Sequence, residues 1–458
     1  MVRTASVTAP LASGFAAGSI GVPSVLVTVL LIVLAPPAST AEAQPNGPAI
    51  DEALPDLVEA GVPVYAEPTF DGPFWQQPGY GWQCPAPVEP CRPCRRYRPP
   101  PGRWWFNGQY LLWWTEGSRI PPLVTTSPQG TPQADAGVLG RPGTRILFGN
   151  TSINTDSRSG GRFRLGYWLN CGNNVGVEAS YLGLGTETTR YRASSSGNPI
   201  LARPFFDITA PAEDSHLIAY PDLVEGSVAV DATTDFQMAG VSLRRSFLQQ
   251  YCSGIDGFGG RGYRIDFLVG YRFGRLDDDL RISESLVTAG PTTIDLYDLF
   301  DASNQFHGAE LGVVAKIRRY RWSLELLMKL ALGNSRSRVF IDGSTTTTAD
   351  AGPPATADGG LLALTTNMGR YTQNEFAVIP ELGVTLGYDI TPRLRATFGY
   401  TFVYWSRVAR AGDQISRDLN PSYFPNDGPP SGPARPEFSF ATTDFWAQGM
   451  NFGFEYRF

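Results

Sequence analysis

The chain of 458 residues is long enough for up to about three ordinary domains or for one large β architecture. Charged residues make up 17% of it, below the roughly 25% of a typical soluble domain, while glycine (50) and proline (38) are abundant. A net charge of −6 does not favour a nucleic-acid partner. The chain has two histidines, His216 and His307, which leaves little room for histidine-based catalysis or metal binding.

The N-terminal region has the pattern of a secretory signal peptide. An apolar stretch, residues 25–35, is followed by Ala41-Glu42-Ala43, which fits the A-x-A pattern before a cleavage site. A membrane anchor is the alternative, but the stretch is too short to cross about 30 Å of hydrocarbon as a helix. We therefore expect residues 1–43 to be removed during export. Any later contact with a membrane would then use strands.

Residues 44–101 are rich in proline, glycine and glutamate, which predicts a disordered or polyproline spacer on the periplasmic side. The spacer contains Cys84, Cys91 and Cys94. The C-x-x-C spacing of the last two could be a redox or metal motif, but no second pair and no βαβ pattern surrounds it. A local disulfide or a tail without special chemistry is the better interpretation.

From Trp104 onward, apolar and polar residues alternate in segments of about ten residues, most clearly in YRIDFLVGYRF (263–273) and WSLELLMKLAL (322–332). Such dyad repeats are the sequence signature of a transmembrane β-barrel, whose strands turn alternate side chains to lipid and to the lumen. We therefore predict that residues 102–458 form an all-β, antiparallel up-and-down barrel. Its ten predicted strands span about 104–114, 162–170, 175–184, 236–247, 262–273, 305–317, 321–333, 375–388, 393–406 and 445–458.

The predicted connections alternate between short turns and long segments of roughly 30 to 50 residues. This alternation is typical of outer-membrane barrels, in which the turns are periplasmic and the long loops are extracellular. An even strand count places both termini in the periplasm. Twelve strands are the alternative, if LRISESLV (280–287) and SRVFID (337–342) form a further membrane-embedded pair.

The tryptophans favour a barrel over a secreted β-sandwich, which also alternates. They fall at predicted strand ends, as expected for two interfacial girdles, and not at strand centres. The girdle residues are Trp104, Trp105, Trp168 and Trp322 at one side and Trp113, Trp114, Trp405 and Trp446 at the other.

Three stretches carry a resemblance to a known family: WWFNGQYLLWWTEGSRIPPLVTTSP, SGGRFRLGYWLN followed by VGVEASYLGL, and NQFHGAELGV. Their recurring aromatic, glycine and proline positions resemble bacterial proteins described as putative beta-barrel porins of unknown function, of the porin-7 type. The likeness runs from about Arg103 to Phe458. It implies an outer-membrane barrel, and it brings no substrate, cofactor or catalytic residue.

The predicted lumen carries charges of both signs. A ten-stranded barrel is wider than an eight-stranded barrel, which side chains fill, and narrower than the 16- to 18-stranded porins with aqueous channels. The charges could line a narrow selective conduit, or they could pair with one another and plug it, and inward Trp105, Trp113 and Trp168 favour the plug. The predicted inward charges are Arg162, Arg164, Glu178, Arg244, Arg264, Asp266, Arg272, Glu310, Lys316, Glu325, Lys329, Glu375, Glu381 and Arg395.

Acidic residues cluster in the third long loop, at residues 277–279 and in DLYDLFD (295–301). If DLYDLFD were a helical turn, its three aspartates would share one face and could attract Ca²⁺. No EF-hand pattern accompanies them, so we interpret the segment as an exposed acidic loop and expect no metal.

GFGGRG (257–262) matches G-x-G-x-x-G, but a strand follows where a dinucleotide site needs a helix, so these glycines predict a turn.

Two cysteines in predicted periplasmic turns, Cys171 and Cys252, could form a disulfide in an exported protein. The turns belong to neighbouring hairpins, which could bring the two Cα atoms within the roughly 4.4–6.8 Å that a disulfide requires. We predict this bridge.

The leading functional interpretation is an outer-membrane barrel that is porin-like or interacts with a solute. The alternative is a closed barrel for surface display, adhesion or envelope structure. A hydrolase is a distant third: His307 near Asp301, or His216 near Asp214, could activate water, but neither pair has a third partner in the sequence. We expect no enzyme activity and no cofactor.

The final residues, MNFGFEYRF, predict a last barrel strand that closes on the first, so that no strand edge meets lipid. Asn451, Gly453, Tyr456 and Phe458 also fit the C-terminal signal that the outer-membrane assembly machinery reads. Removal of Phe458 should therefore impair membrane assembly, measured as the amount of folded protein in isolated outer membranes. Insertion of the truncated chain at the level of the full chain would contradict this prediction.

Overall fold

A computed structural model describes residues 102–253, 260–350, 352–425 and 428–458, with the side chains of residues 251–253 left out. The predicted signal peptide, the predicted spacer with its three cysteines, and residues 257–259 of GFGGRG lie outside the described residues. In the described part of the chain, no helix is both long and apolar enough to span a membrane.

Ten antiparallel strands form a closed ring, which confirms the predicted fold class and strand number. Each strand pairs with the next, and the last pairs with the first, from Trp105 opposite Arg457 to Thr115 opposite Ala447. The strands are β1 (Trp104–Thr115), β2 (Arg158–Trp168), β3 (Val175–Leu184), β4 (Val224–Ser253), β5 (Gly260–Thr288), β6 (Thr293–Tyr320), β7 (Trp322–Thr348), β8 (Gly369–Asp389), β9 (Leu394–Val408) and β10 (Thr443–Arg457).

Four strands are far longer than predicted. β4 to β7 contain 30, 29, 28 and 27 residues, whereas about 9–11 residues cross a bilayer. LRISESLV and SRVFID are the far parts of β5 and β7, so the twelve-strand alternative is wrong. DLYDLFD is part of β6 and not a helical turn: Asp298 points inward and is buried, while Asp295 and Asp301 lie on the opposite face.

The apolar face of the long strands changes sides along their length. Near the short turns, the outward residues of β4 are apolar and exposed, as Val241 and Leu243 show. Farther along the strand, the inward residues are apolar and buried, as Val228 and Val230 show. The first part therefore suits contact with lipid outside, and the second part suits a core inside with water outside.

The part beyond the apolar outer band, on the side of the long loops, forms a cap. We use this name for residues 116–157, 185–235, 275–304, 335–368 and 409–442. Its shorter strands are Ser118–Ile120, Val124–Thr126, Arg145–Phe148, Thr151–Ile153, Glu187–Ser195, Leu201–Asp207, Ala212–Ala219, Ala355–Asp358 and Asp418–Leu419. The strand Glu187–Ser195 pairs with β4, and a separate small sheet is built around Leu201–Asp207. Buried apolar residues, among them Ile120, Leu201 and Phe300, join loops and long strands in one core.

Candidate functional site

The lumen near the short turns is filled by a network of ion pairs. Arg244 contacts both Glu178, at 3.0 Å, and Asp266, at 2.8 Å, and Arg264 contacts Asp266 at 2.6 Å. The Arg264 guanidinium also lies 4.3 Å from the ring centroid of Trp168. Because acidic and basic groups from β3, β4 and β5 meet here, this part of the layer satisfies its own charges.

The same layer continues across the lumen to the strands near the C-terminus. Lys316 Nζ lies 3.0 Å from Glu325 and 3.3 Å from Glu455, and Arg164 lies 3.5 Å from Glu325. Arg395 bridges Glu455, at 3.2 Å, and Asp389, at 2.7 Å.

A second ionic layer lies deeper in the barrel, beyond a small apolar cluster of Leu268, Val314 and Leu327. Glu381 accepts from Arg162, at 3.0 Å, and from Arg272, at 2.5 Å. Arg272 also reaches Glu310, at 2.5 Å, and Lys329 contacts Glu310 at 3.0 Å. These pairs join side chains from five strands, β2, β5, β6, β7 and β8, and the pairs of Glu381 with Arg162 and Arg272 connect strands that are not neighbours in the ring.

Thirteen of the fourteen predicted inward charges lie in these two layers, each with an oppositely charged partner. Glu375 does not: it lies near the cap, 3.6 Å from the exposed Arg407. Sequence reasoning missed Asp389, because it was assigned to a turn. The alternation rule could have found it, because Asp389 has the same parity along β8 as Glu381.

An apolar layer follows the second ionic layer on its cap side. Phe236, Phe306, Trp405 and Phe445 are all fully buried there, packed with aliphatic side chains from other strands. Trp113 is also fully buried in this layer, and its Nε1 donates to Asn451 Oδ1 at 2.7 Å. Close packing of this kind leaves little room for water between these side chains.

The tryptophan girdle assignment was wrong for Trp405 and Trp113, which point into the lumen because of their parity along the strand. Trp105 also points inward and is buried. Trp104, Trp114 and Trp322 are exposed on the outside. The girdle prediction used only the position of each tryptophan near a strand end. Whether an indole can reach lipid also depends on which face of the strand it lies on.

The spaces left in the lumen are small. A cavity of about 60 Å³ on the turn side is lined by charges of both signs, including Arg164, Lys316 and Glu455. A second cavity, between the ionic side chains of the deeper layer, has a volume of about 20 Å³. Cavities of these volumes hold a few water molecules.

A buried ionic cluster holds the cap together. Arg203 pairs with Glu284 and, at 2.7 Å, with Asp298. Asp298 Oδ1 also accepts from three successive backbone N–H groups of residues 361–363, at 2.8–2.9 Å. Burial raises the pKa of Glu284, but Arg203 and His216 outweigh burial and hold that pKa at about 2. Glu284 is therefore ionised at neutral pH and anchors one small strand to the long sheet.

The structure does not bring together the predicted histidine–carboxylate pairs. His216 Nε2 lies 3.4 Å from Glu284, and not against Asp214, whose carboxylate accepts from the adjacent Ser215 N–H. His307 lies on the outer face, with Nδ1 2.5 Å from the Tyr271 hydroxyl. Asp301 is six residues away on the same extended strand, a distance of roughly 20 Å.

In the described residues, no cluster of three or more metal-ligating side chains occurs.

A groove of about 740 Å³ lies on the outer face of the cap, between the far ends of the long strands. This volume falls in the usual range of small-molecule sites. Arg192 and Arg281 line it together with Tyr297, whose ring centroid lies 4.2 Å from the Arg281 guanidinium carbon. Small hydroxyl side chains, such as Ser283 and Ser285, complete the lining.

Cys171, in the turn between β2 and β3, is disulfide-bonded. The side chains of the other four cysteines lie outside the described residues, so the pairing with Cys252 stays a prediction. The backbone of β4 extends to that residue and pairs Cys252 with Arg261 of β5.

The predicted C-terminal signal lies on the closing strand. Asn451 is buried in the lumen and donates to Thr401 at 2.7 Å. A Cβ at Gly453 would lie 2.1 Å from the carbonyl oxygen of Gly108, so the close approach of β1 and β10 requires glycine there. Phe458 is exposed, and its N–H donates to the Trp104 carbonyl at 3.0 Å. Tyr456 pairs with Phe106 of β1 and with Leu394 of β9.

Residues 105–458 match the family model described as "Putative beta barrel porin-7 (BBP7)". The chain belongs to this family. Its members are described as β-barrel porins, and the chain is accordingly an outer-membrane β-barrel protein of porin-like type. None of the curated proteins compared with the chain matches it.

Among solved structures, the Escherichia coli outer membrane protease OmpT is similar over 78% of this chain and 98% of its own, with 10% identity and a TM-score of 0.34. The Pseudomonas putida toluene transporter TodX is similar over 78% of this chain and 91% of its own, with 8% identity and a TM-score of 0.20. At these identities and scores, neither structure bears on the function of the BBP7 protein.

Replacement of Glu381 by Gln should destabilise the barrel by about 3–5 kcal/mol, because Arg162 and Arg272 would lose a shared partner inside the lumen. The matched control is Asp231→Asn, which breaks exposed pairs with Arg190 and Arg192 and should cost at most about 1 kcal/mol. The measurement is the urea midpoint of unfolding in lipid vesicles. Equal shifts for both variants would show that the lumen charges are not energetically buried.

Proposed function

We propose that this BBP7 protein is a closed outer-membrane barrel that presents a folded binding platform at the cell surface, and that it is not a general diffusion pore. The single observation that supports this proposal is the sequence of layers in the lumen. Two ionic layers and one apolar layer follow one another from the turns to the cap, all built from side chains of the barrel strands.

The cap supports the same proposal. β4 to β7 continue well beyond the apolar outer band, and their far ends carry a core with the loops on one face and a groove on the other. Rigid strands position a site more accurately than mobile loops do. The groove walls are polar and carry Asp295 as well as Arg192 and Arg281, which suits a polar ligand from the surroundings of the cell.

The proposal has three further parts. Export through a cleaved signal peptide, insertion by the outer-membrane barrel assembly machinery, and direct contact with outer-membrane lipid follow from the sequence patterns described above. We also propose that the protein is not an enzyme, because His216 and His307 each lie beside groups that form no nucleophile–base–orienter arrangement.

Solute conduction is the second candidate function. The family description and the cavity on the turn side, half of whose lining residues are arginine or lysine, favour it. For conduction, the apolar layer around Phe236 and Trp405 would have to move aside, and at least the pairs of the deeper ionic layer would have to open.

Single-channel recording in planar lipid bilayers distinguishes the two candidates. The full mature protein should give no stepwise conductance at any voltage or salt concentration, because the lumen lacks a continuous aqueous path. A well-characterised trimeric porin, purified and reconstituted in the same way, is the positive control. Reproducible steps from the BBP7 protein would overturn the closed-barrel proposal and favour conduction.

A further inference from the structure

Three arginines lie side by side on the outer face of the long strands, two of them in the cap and the third beside them on β8. Arg336 and Arg338 are two residues apart on β7, where they alternate with buried Ser335 and Ser337 and therefore point outward. Arg370, on β8, pairs with Phe340 and is a diagonal neighbour of Arg338. Residues two apart on a strand, or diagonal across two strands, are about 7–8 Å apart. Arg338 is therefore close to both Arg336 and Arg370, and the three long side chains can reach one ligand placed beside it.

These three arginines differ from the outward arginines of the cap that have carboxylate partners. Arg190 and Arg192 both pair with Asp231, and Arg275 pairs with Asp277 at 2.6 Å. Arg336, Arg338 and Arg370 form no ion pair with any residue of the described ranges. The carboxylate in the same cross-strand row as Arg370 is Asp301, two strands away and beyond the Phe340 ring.

The position of the arginines relative to lipid is the second observation. On the same two strands, Leu332 and Phe376 are exposed on the outer face. The exposed fraction is larger for Phe376, at 67%. Arg336 follows Leu332 by four residues along β7, and its partner Asn374 precedes Phe376 by two residues on β8. Arg370 itself precedes Phe376 by six residues on β8, so the change from apolar to cationic side chains takes place over four to six residues, roughly 13–20 Å along the tilted strands, on the headgroup side of the hydrocarbon.

We propose that Arg336, Arg338 and Arg370 bind the phosphate of a phosphorylated glycolipid in the outer leaflet, with its acyl chains against the apolar side chains below. Arginine presents a planar fork of donors that matches phosphate oxygens, and charge-assisted hydrogen bonds of this kind are strong. Three cations without carboxylate partners match the charge of a phosphate group. A soluble phosphate would use the arginines but would gain nothing from Leu332 and Phe376.

The test uses the full mature protein in detergent micelles, titrated with bisphosphorylated lipid A and, separately, with enzymatically dephosphorylated lipid A. Wild-type protein should bind the phosphorylated form with an affinity roughly tenfold or more above that for the dephosphorylated form. R336Q/R338Q/R370Q should lose this preference. The matched control R190Q/R275Q/R407Q removes three exposed arginines that already have carboxylate partners, and it should keep the preference.

Inorganic phosphate distinguishes the lipid from a free anion. If phosphate at millimolar concentration binds as well as lipid A per phosphate group, the site is an anion site and the proposed glycolipid is wrong. Equal preference for phosphorylated lipid in the two triple variants would also overturn the proposal. Heat-modifiable migration on gels and a β-type circular dichroism spectrum confirm that both variants are folded, so loss of binding reports on the arginines.

Discussion

The structure depends on one constraint: a charged side chain inside a narrow barrel must find a partner there, because little water reaches it. Glu381 shows how strictly this holds, since it is shared by two arginines from two other strands, and one of these, Arg272, in turn reaches Glu310. These contacts cross the lumen, so they fix the strands relative to one another as well as neutralising charge. With ten strands, the lumen is narrow enough for such side chains to meet, which a wide porin would not allow.

Buried arginines pair with carboxylates in the cap as they do in the lumen. Arg203 joins Glu284 and Asp298 beneath the small sheet, much as Arg272 joins Glu310 and Glu381 in the lumen. On both sides of the apolar layer, therefore, buried arginines connect strands that the hydrogen-bonded ladder does not connect directly. The barrel and the cap therefore share continuous strands, which suits the proposed surface platform at a fixed height above the lipid.

The sequence predicted the strand number because each crossing segment alternates with a period of two, and short turns separate the crossing segments on one side. It also predicted most of the charges that face inward, since parity along a strand decides the face, but it missed Asp389. It did not predict the length of β4 to β7. Alternation continues beyond the membrane, but the apolar residues change from the outward set, such as Val241, to the inward set, such as Val230. Hydrophobicity alone does not show which face of a strand meets lipid, so the extent of β4 to β7 beyond the membrane could not be predicted. The ion-pair partner of each inward charge could not be predicted either, because the paired strands are far apart in sequence.

The most direct test of the closed interior is the reactivity of single cysteines placed in the apolar layer. Ala331→Cys and Ala447→Cys introduce small thiols at positions that are at most 1% exposed, and Ser285→Cys supplies an exposed control on the cap. A charged methanethiosulfonate reagent should label the control rapidly, and it should label the two lumen variants only after heating in detergent, once wild-type background is subtracted. Labelling of the lumen variants in folded protein at a rate close to that of the control would contradict the account.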